Sequence, residues 1–367
     1  MIAAMDSSFE QARDFFVQGL AHYQAGRWAQ ADTSFSASLS LLPGRVSTLT
    51  NLGATRLKLG RAEEALGLLD EALAREPNDL EALGHRASAL AALDRLEAAS
   101  ACLERLLALD ASSGAAWSLQ GSLLKDLGRS QEAVAALEQA VARGADVDLN
   151  RYLLAGLRGG EAPGAPPRQY VQRLFDGYAQ GFDAHLVGVL HYRAHRVLAE
   201  GLPAGRHFAS ALDLGCGTGL CGRLLRPVAG RLEGVDLSAN MVAQAGTLGL
   251  YDALAQDDVA HYLDTATRRY DLVVAADVFI YVGALEAVFA AAARCIDAGG
   301  LFCFSVEEAG PGEDLALRPS LRYVHSERSV RALAAAHGFK VQAMGRQPIR
   351  EDQRIPIPGL YFWLAKL

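Results

Sequence analysis

A repeat of 34 residues is the feature that most constrains the fold of this chain. Gly19, Gly53, Ala87 and Gly121 stand 34 residues apart, and an alanine follows each of them twelve residues later. Self-similarity at a fixed period indicates stacked supersecondary units. The sequence therefore predicts four consecutive units of this kind. They cover residues 12–45, 46–79, 80–113 and 114–147.

Each unit reads as two antiparallel helices. Small residues at the repeated positions let the two helices approach closely, and a glycine at the turn takes a conformation that other residues resist. Pro43 and Pro77 end the first two units. This pattern resembles the tetratricopeptide repeat (TPR), which implies an α-solenoid. One more amphipathic helix, 146–157, would cap the stack, so the repeats predict a TPR domain over residues 1–157.

The partners of the repeats remain open from the sequence. The resemblance implies that the concave face comes from the first helix of each unit. Phe16, Leu20 and Glu81 stand where the family's clamp for peptide carboxylates needs lysine or asparagine, so that clamp is absent. One interpretation is an apolar groove for a protein partner. The other is that the repeats contact the second domain, cover its site or mediate self-association.

Residues 158–168 are rich in glycine and proline and predict a linker. Beyond it, 209–219 reads as an apolar strand followed by a glycine-rich turn, and a helix follows. A unit of this kind brings backbone N–H groups close to a ligand. The glycines are spaced G-x-G-x-G, which disfavours the dinucleotide fingerprint G-x-G-x-x-G, and the lysine of a P-loop is missing.

The sequence Asp213-Leu-Gly-Cys-Gly-Thr-Gly219 resembles the first motif of class I S-adenosylmethionine-dependent methyltransferases. The resemblance implies S-adenosyl-L-methionine as cofactor and S-adenosyl-L-homocysteine as product. It also implies a Rossmann-like α/β/α sandwich over residues 169–367, with strand order 3-2-1-4-5-7-6. The motif residues that would hold the cofactor are Asp213, Gly215, Cys216, Gly217 and Gly219.

The second strand, 231–236, ends in Asp236, 17 residues beyond the glycine loop. In the resembling family an acid at this place accepts both ribose hydroxyls of the cofactor, a bidentate interaction that suits a carboxylate. Leu237 and Met241 would contact the adenine. Ser238 predicts an N-cap for the helix that carries Met241.

The third strand, 251–259, closes on two acids. The family places there an acid that accepts from the adenine amino group, followed by a backbone N–H that meets a ring nitrogen. Asp258 with Val259 fits that register, and Asp257 is one residue out. A continuous apolar run over 270–276 is typical of a buried parallel strand. Ala275, near its end, is assigned to the cofactor as well.

Ligands of doubly wound sheets bind outside the carboxyl ends of the strands. Asp277 follows the fourth strand there, and Tyr281 comes soon after it. Glu307 ends the fifth strand, 299–306. We interpret Asp277 as catalytic and assign Tyr281 and Glu307 to the substrate, although a single acid such as Glu307 also fits an ordinary loop position.

His325 lies between the fifth strand and the last helix, a region that often lines the acceptor pocket in this family. An imidazole there would serve as a base near neutral pH, so His325 is the second candidate catalytic residue. The alternative is that it packs locally. His185, His191 and His195 recur along one stretch and are interpreted as partly exposed helix positions.

The segment 170–186 is amphipathic and precedes the first strand of the sheet. In related enzymes such a helix covers the cofactor. The resemblance assigns Tyr178 to the methionine end and Arg193 to its carboxylate, with simple helix packing as the alternative for Tyr178. The stretches 174–186 and 192–193 resemble a bacterial group of predicted methyltransferases that carry tetratricopeptide repeats.

The composition limits the kinds of partner that we expect this chain to bind. The net charge is −7 and neither half of the chain is basic, so we expect no nucleic acid and no anionic membrane as partner. Five cysteines without zinc-like spacing predict free thiols and no metal. The chain shows no signal peptide and no apolar run of about 20 residues. We expect a cytoplasmic protein.

Three functions follow from these patterns. The first is a methyltransferase that modifies oxygen or nitrogen of a small molecule, with the repeats shaping or covering the acceptor site. The second is a protein methyltransferase whose repeats recruit the target. The third, a non-catalytic scaffold, is disfavoured because every cofactor motif is intact. No metal-ligand spacing or catalytic triad is present.

Overall fold

The structure is a computed structural model that describes residues 2–160, 162–178 and 181–367, without the side chains of residues 2–7 and Tyr178. The chain divides into two compact units, residues 1–157 and 158–367. No helix within the described ranges is both long enough and apolar enough to cross a membrane.

The first unit consists of paired antiparallel helices, which confirms the prediction of helical repeats. Two helices form each 34-residue unit, and a further helix follows the fourth. Their bounds are α1 Ile2–Gln24, α2 Trp28–Leu41, α3 Val46–Lys58, α4 Ala62–Arg75, α5 Leu80–Ala92, α6 Leu96–Leu109, α7 Gly114–Asp126, α8 Ser130–Ala142 and α9 Val147–Arg158.

The repeated glycines make room for a large side chain sixteen residues later. A Cβ at Gly53 would lie 2.8 Å from Leu69 Cγ, and one at Gly121 would lie 2.6 Å from Leu137 Cγ. Each leucine is fully buried between the helices of its own unit. The same logic explains the repeated alanines, which are completely buried. They are Ala31, Ala65, Ala99 and Ala133.

The turn inside each unit uses a left-handed residue. Gly26, Gly60 and Gly128 have φ between +70° and +75°, a region that glycine enters without steric cost. Asp94 takes the same place in the third unit with φ +57°. Aspartate tolerates this conformation better than most residues, which explains how the third repeat keeps its register without a glycine.

The predicted linker, 158–168, contacts the rest of the second unit through Gly164. The Ala284 N–H donates to the carbonyl oxygen of Gly164 at 2.9 Å. A Cβ at Gly283 would lie 2.4 Å from the same oxygen. Glu161 lies outside the described residues. The described part of 158–168 therefore packs on the second unit.

The second unit is built around a sheet of order β3-β2-β1-β4-β5-β11-β8. Without the short strands between β5 and β11, this is the predicted order 3-2-1-4-5-7-6. The first five strands are parallel, and β11 runs antiparallel to both its neighbours. The strands are β1 Phe208–Leu214, β2 Ala229–Asp236, β3 Ala253–Gln256, β4 Tyr270–Ala275, β5 Ile296–Glu308, β6 Leu315–Leu317, β7 Tyr323–His325, β8 Phe339–Arg346, β9 Arg350–Asp352, β10 Ile355–Ile357 and β11 Gly359–Lys366.

Helices connect the strands of this sheet, and a hairpin of β9 and β10 stands apart from it. The predicted fold class, helical repeats followed by a sheet of this strand order, is confirmed. The helices are α10 Arg168–Tyr178, α11 Phe182–Gly188, α12 Ala194–Glu200, α13 Leu220–Leu225, α14 Ala239–Thr247, α15 Val259–Thr265, α16 Glu286–Cys295 and α17 Glu327–Ala336.

Strand β4 is apolar over its last four residues. Leu272 and Val274 join the apolar cluster on one face of the sheet, while Val273 and Ala275 join the cluster on the other face. Successive side chains of a strand point to opposite faces. Because both faces are covered here, these four positions carry apolar side chains. Asp271, near the start of the strand, accepts hydrogen bonds from the N–H groups of Ala209 and Ser210.

Candidate active site

A cavity of about 1010 Å³ lies at the carboxyl end of the parallel strands, within the second unit. Known ligand pockets for small molecules measure about 300–1,000 Å³, so the volume suffices for a cofactor and a small second ligand. Ten of the predicted site residues line it. They are Gly215, Cys216, Gly217, Asp236, Leu237, Met241, Asp258, Val259, Asp277 and Tyr281.

The glycine loop forms one wall of the cavity. Gly215 has φ +63°, and a Cβ there would lie 2.5 Å from Val278, so only glycine fits. Gly217 has φ +52° and nothing within 4 Å of a Cβ position. Cys216 is buried, and burial raises the pKa of its thiol well above the usual value. The cysteine therefore packs as a neutral thiol beside an open stretch of backbone.

Asp236 is held by the backbone on both sides. Its Oδ2 accepts from the Gly217 N–H and its Oδ1 from the Ser238 N–H, each at 2.9 Å. Burial raises the pKa of Asp236, and the two N–H groups act against that rise. Each carboxylate oxygen can accept a second hydrogen bond. The carboxylate is thus oriented and still able to receive a pair of hydroxyls.

Next to Asp236, helix α14 begins as the sequence predicts. The Ser238 Oγ accepts from the Met241 N–H at 3.2 Å, so Ser238 is the N-cap. This cap places Met241, which is buried, on the cavity wall together with Leu237. The two side chains give the cavity an apolar surface beside the carboxylate.

Asp258 is the N-cap of helix α15 rather than part of the third strand, which ends at Gln256. Its Oδ1 accepts from the N–H groups of Ala260 and His261 at 2.9 and 3.1 Å. Asp257 points elsewhere, with its Oδ2 bonded to His261 at 2.6 Å. Asp258 and the following Val259 line the cavity, and Asp257 does not.

The segment 170–186, which precedes the sheet, is hydrogen-bonded at two points to residues beside the glycine loop and at the start of α14. The Ser238 Oγ donates to Asp176 at 2.6 Å, and the Thr218 hydroxyl donates to Asp183. Phe175 on the same segment packs against Tyr281, with ring centroids 5.2 Å apart. The segment thus forms a cover with an aromatic inner side. The predicted contact of Tyr178 with the methionine end of the cofactor involves a side chain that lies outside the described part of the structure.

Four other residues that were predicted to bind the cofactor do not line the cavity. Asp213 is buried and accepts from the Tyr251 hydroxyl at 2.7 Å. Burial raises the pKa of Asp213 to about 7, while this hydrogen bond acts against the rise. Gly219 is the N-cap of α13, and Ala275 is the last residue of β4. Arg193 precedes α12, where its N–H donates to the Ile349 carbonyl.

An arginine that the sequence analysis missed joins two of the predicted acceptor residues. Arg350, on the β9–β10 hairpin, is 3% exposed and bonds to both Asp277 and Glu307. Burial alone would lower the pKa of Arg350, but the two carboxylates outweigh it and raise the value. Arg350 and Asp277 line the cavity, whereas Glu307 does not. Glu307 therefore contributes by holding Arg350.

His325 is not placed to meet an acceptor, which corrects the second catalytic assignment. It is buried outside the cavity lining, and its Nε2–H donates to the Gly283 carbonyl at 2.7 Å. Burial lowers the pKa of His325. The local-packing alternative describes this residue correctly.

Two other histidines, His185 and His195, line the cavity. The sequence placed His185, His191 and His195 on one helix, but α11 ends at Gly188 and α12 begins at Ala194. His195 is consequently buried and stacks on Tyr192, with ring centroids 5.0 Å apart. Both rings line the cavity. No local spacing signals this, because the helical period is interrupted.

The charge of the lining fits a cationic cofactor. Among the described lining residues six carboxylates stand against three guanidiniums. S-adenosylmethionine carries a sulfonium and an ammonium against one carboxylate, so its net charge complements this excess. An oriented Asp236, an open backbone at Gly217 and an apolar pair beside them also fit a nucleoside. The residues present therefore suit this cofactor.

Comparison with known proteins agrees with the two-part organisation. A family described as a methyltransferase domain matches residues 188–343. Tetratricopeptide repeat families match residues 56–123 and 114–143. The chain thus carries tetratricopeptide repeats followed by a methyltransferase domain.

Two curated relatives each match part of the chain. Methyltransferase-like protein 27 of Homo sapiens is 39% identical over 99 residues, which are 26% of this chain and 40% of that protein. Malonyl-[acyl-carrier protein] O-methyltransferase of Enterobacter lignolyticus (strain SCF1) is 30% identical over 142 residues, 38% of this chain and 55% of the relative. The chain therefore spans about half or less of the length of these relatives.

Among solved structures, magnesium protoporphyrin IX methyltransferase from Synechocystis PCC 6803 with bound S-adenosylhomocysteine is similar. The identity is 18% and the TM-score 0.43, and the match covers 55% of this chain and 99% of that one.

Proposed function

Starting from a chain that joins tetratricopeptide repeats to a methyltransferase domain, we propose that it transfers the methyl group of S-adenosylmethionine to oxygen or nitrogen of a small molecule. Both ligands would occupy the cavity at the carboxyl end of the sheet. The cofactor supplies a methyl group made electrophilic by its sulfonium. The protein contributes binding, orientation and the exclusion of water.

The single observation that carries the proposal is the carboxylate of Asp236. It is fixed at the cavity wall by the N–H groups of Gly217 and Ser238. In this proposal it accepts from the ribose hydroxyls, while Leu237 and Met241 pack on the adenine and Asp258 with Val259 contacts the adenine edge. These contacts orient the ligand before any chemistry takes place.

We propose roles for the remaining residues that the sequence assigned to the site. Gly215, Cys216 and Gly217 give the backbone surface along which the cofactor lies, with Asp213, Gly219 and Ala275 supporting that surface from behind. Tyr178 and Arg193 are proposed at the methionine end. Asp277 and Tyr281 face the acceptor, and Glu307 fixes the arginine that holds Asp277. A positioned acceptor accounts for most of the rate gain that such a site offers.

Transfer of label tests this proposal. The purified full-length protein is incubated with S-adenosylmethionine carrying a labelled methyl group and with a small-molecule extract of cells. We expect label in products of low molecular mass, together with formation of S-adenosylhomocysteine. Absence of transfer by protein that binds S-adenosylhomocysteine would contradict it.

The second candidate function is methylation of a protein that the repeats recruit. The tetratricopeptide matches over residues 56–143 favour it, since such repeats form extended binding surfaces. Label that appears only in macromolecules, when a whole-cell extract replaces the small-molecule fraction, would support this function over the first. The repeats would then act as the protein-binding part of the enzyme.

A further inference from the structure

The last residues of the predicted linker form part of the cavity wall. Gly164, Ala165, Pro166 and Arg168 line the cavity, and none of them is buried, so a molecule in the cavity can touch them. The match to the methyltransferase family begins at residue 188. These residues therefore belong to a part of the chain that precedes the matched domain. We call the segment 164–168 the strap.

One end of the strap is fixed to the loop that follows β4. The Ala284 N–H donates to the Gly164 carbonyl oxygen at 2.9 Å. Gly283 has φ +78°, and a Cβ there would lie 2.4 Å from the same oxygen, so a glycine is needed for this approach of two backbones. The Gly283 carbonyl oxygen accepts in turn from His325 Nε2–H at 2.7 Å. The buried histidine thus holds the loop that anchors the strap.

The other end of the strap reaches the loop that follows β3. The Arg168 guanidinium lies 3.5 Å from the carboxylate of Asp257, the residue before Asp258. This ion pair is partly exposed and contributes little by itself. The chain between the two ends is stiff, because Pro166 and Pro167 have a fixed φ. A segment that is ordered in advance loses little entropy when it closes on a ligand.

The strap bridges the loops after β3 and β4. Its first and last residues are four positions apart, which corresponds to at most about 14 Å of extended chain. Accessible residues of both loops line the same part of the cavity. They are Asp258 and Ala260 after β3, and Val282 and Ala287 after β4. In the proposed function this part of the cavity receives the adenine, because Asp258 with Val259 contacts the adenine edge.

We infer that the strap closes the cavity over the adenine of the bound cofactor and slows its release. This inference rests on the proposed function and adds a segment to its cofactor site. Ala165 and Pro166 bring small apolar groups to the cavity wall. Covering the face of a base with such groups removes apolar surface from water, which favours the bound state. The ligand then leaves when the contact of Gly164 with Gly283 and Ala284 opens.

The rate of ligand release tests this inference. Full-length protein is loaded with radiolabelled S-adenosylhomocysteine and diluted into an excess of the unlabelled compound, and rapid filtration follows the label that stays bound. Gly283→Ala should release the label about fivefold faster than the wild type, because the added Cβ displaces the Gly164 carbonyl. Gly299→Ala is the matched control, since Gly299 has φ +77° and nothing within 4 Å of a Cβ position. It should release label at the wild-type rate.

A second variant removes atoms instead of adding them. It is needed because the Cβ at position 283 would also lie 3.1 Å from Tyr323 Cζ. Pro166→Gly loosens the strap without a steric clash and should speed release about twofold. Pro203→Gly, in the loop between α12 and β1, is its control and should have no effect. Release at the wild-type rate in either strap variant would overturn the role of the strap.

Trypsin cleavage gives a readout that does not depend on release. Arg168 lies on the strap, and Arg158 ends α9 before it. S-adenosylhomocysteine should slow cleavage after Arg168 more than cleavage after Arg158, and Gly283→Ala should weaken this protection. Equal protection of the two sites in the wild type would overturn the strap alone. Wild-type protein that is folded and binds no S-adenosylhomocysteine would overturn the proposed function as well.

Discussion

At the scale of single residues, the site depends on carboxylates that the backbone or a neighbour holds still. Asp236 receives two backbone N–H groups, Asp258 caps a helix, and Asp277 is fixed by Arg350. Each stands at or after the end of a parallel strand, where the chain leaves the apolar interior. A polar cluster therefore forms at the strand ends, beside the apolar core.

Asp236→Ala should weaken binding of S-adenosylhomocysteine at least tenfold. The substitution removes the proposed acceptor for the ribose hydroxyls and leaves the Gly217 and Ser238 N–H groups without their carboxylate. Hydrogen bonds to a charged group contribute about 1.5–3 kcal/mol, and 1.4 kcal/mol corresponds to a factor of ten. Isothermal titration calorimetry measures the change. Equal affinity in the variant and the wild type would contradict the role of Asp236.

Asp213 predicts a dependence of stability on pH. Because burial raises its pKa from 3.8 to about 7 in the folded state, the unfolded chain releases this proton between pH 4 and 7 while the folded protein keeps it. The contribution of Asp213 to the free energy of unfolding therefore falls as the pH rises through that window. Asp213→Asn cannot ionise and should lack this fall.

Urea unfolding of both proteins at several pH values measures this contribution. The free energy of the Asp213→Asn variant, minus that of the wild type, should increase between pH 4 and 7 and level off above. A difference that stays constant across the window would show that Asp213 does not ionise as the structure implies.

At the scale of elements, the repeat glycines and the β9–β10 hairpin act through close packing and buried charge. Helix pairs in the first unit approach because a glycine faces a leucine sixteen residues on. In the second unit Arg350 joins the hairpin to the ends of β4 and β5. Both arrangements leave little room for substitution.

Gly121→Ala should destabilise the protein by roughly 1–3 kcal/mol, since its Cβ would lie 2.6 Å from Leu137 and the core would be overpacked. Gly67→Ala is the matched control, because this exposed position in α4 has nothing within 4 Å. Alanine in a helix interior is favoured there by roughly 0.5–1 kcal/mol. Urea unfolding followed by circular dichroism compares the two. Opposite signs are expected, and equal effects would contradict the packing account.

Arg350→Met should cost about 3–5 kcal/mol of stability, because it leaves Asp277 and Glu307 buried without their cation. Arg318→Met breaks a surface pair with Glu313 and should cost at most about 1 kcal/mol. Thermal unfolding of the two variants provides the comparison. If both lost the same stability, the buried triad would not be holding the hairpin.

The sequence predicted those elements whose signals are local. The repeat period, the glycine loop and the Ser238 cap each lie within a few tens of residues. Arg350 was not predicted as a site residue because its partners lie 73 and 43 positions away along the chain. His195 was misread because a helical period was extended across the break between α11 and α12.

At the scale of the whole molecule, the chain combines two units whose cores are packed in different ways. The repeats bury small residues at fixed intervals and end with a capping helix. In the second unit apolar clusters cover both faces of the sheet, and the polar groups of the cavity lie at the carboxyl ends of its parallel strands. Strand order could be predicted from the order of motifs, whereas the cavity depends on a hairpin and a covering segment whose packing no motif specifies.

Calorimetric titration of the full-length protein with S-adenosylhomocysteine measures whether Asp236 holds the cofactor. We expect binding of one molecule per chain, weakened at least tenfold by Asp236→Ala and unchanged by Asp297→Asn at an exposed position. Absence of binding by folded wild-type protein, or binding that Asp236→Ala leaves intact, would rule out the proposed cofactor site.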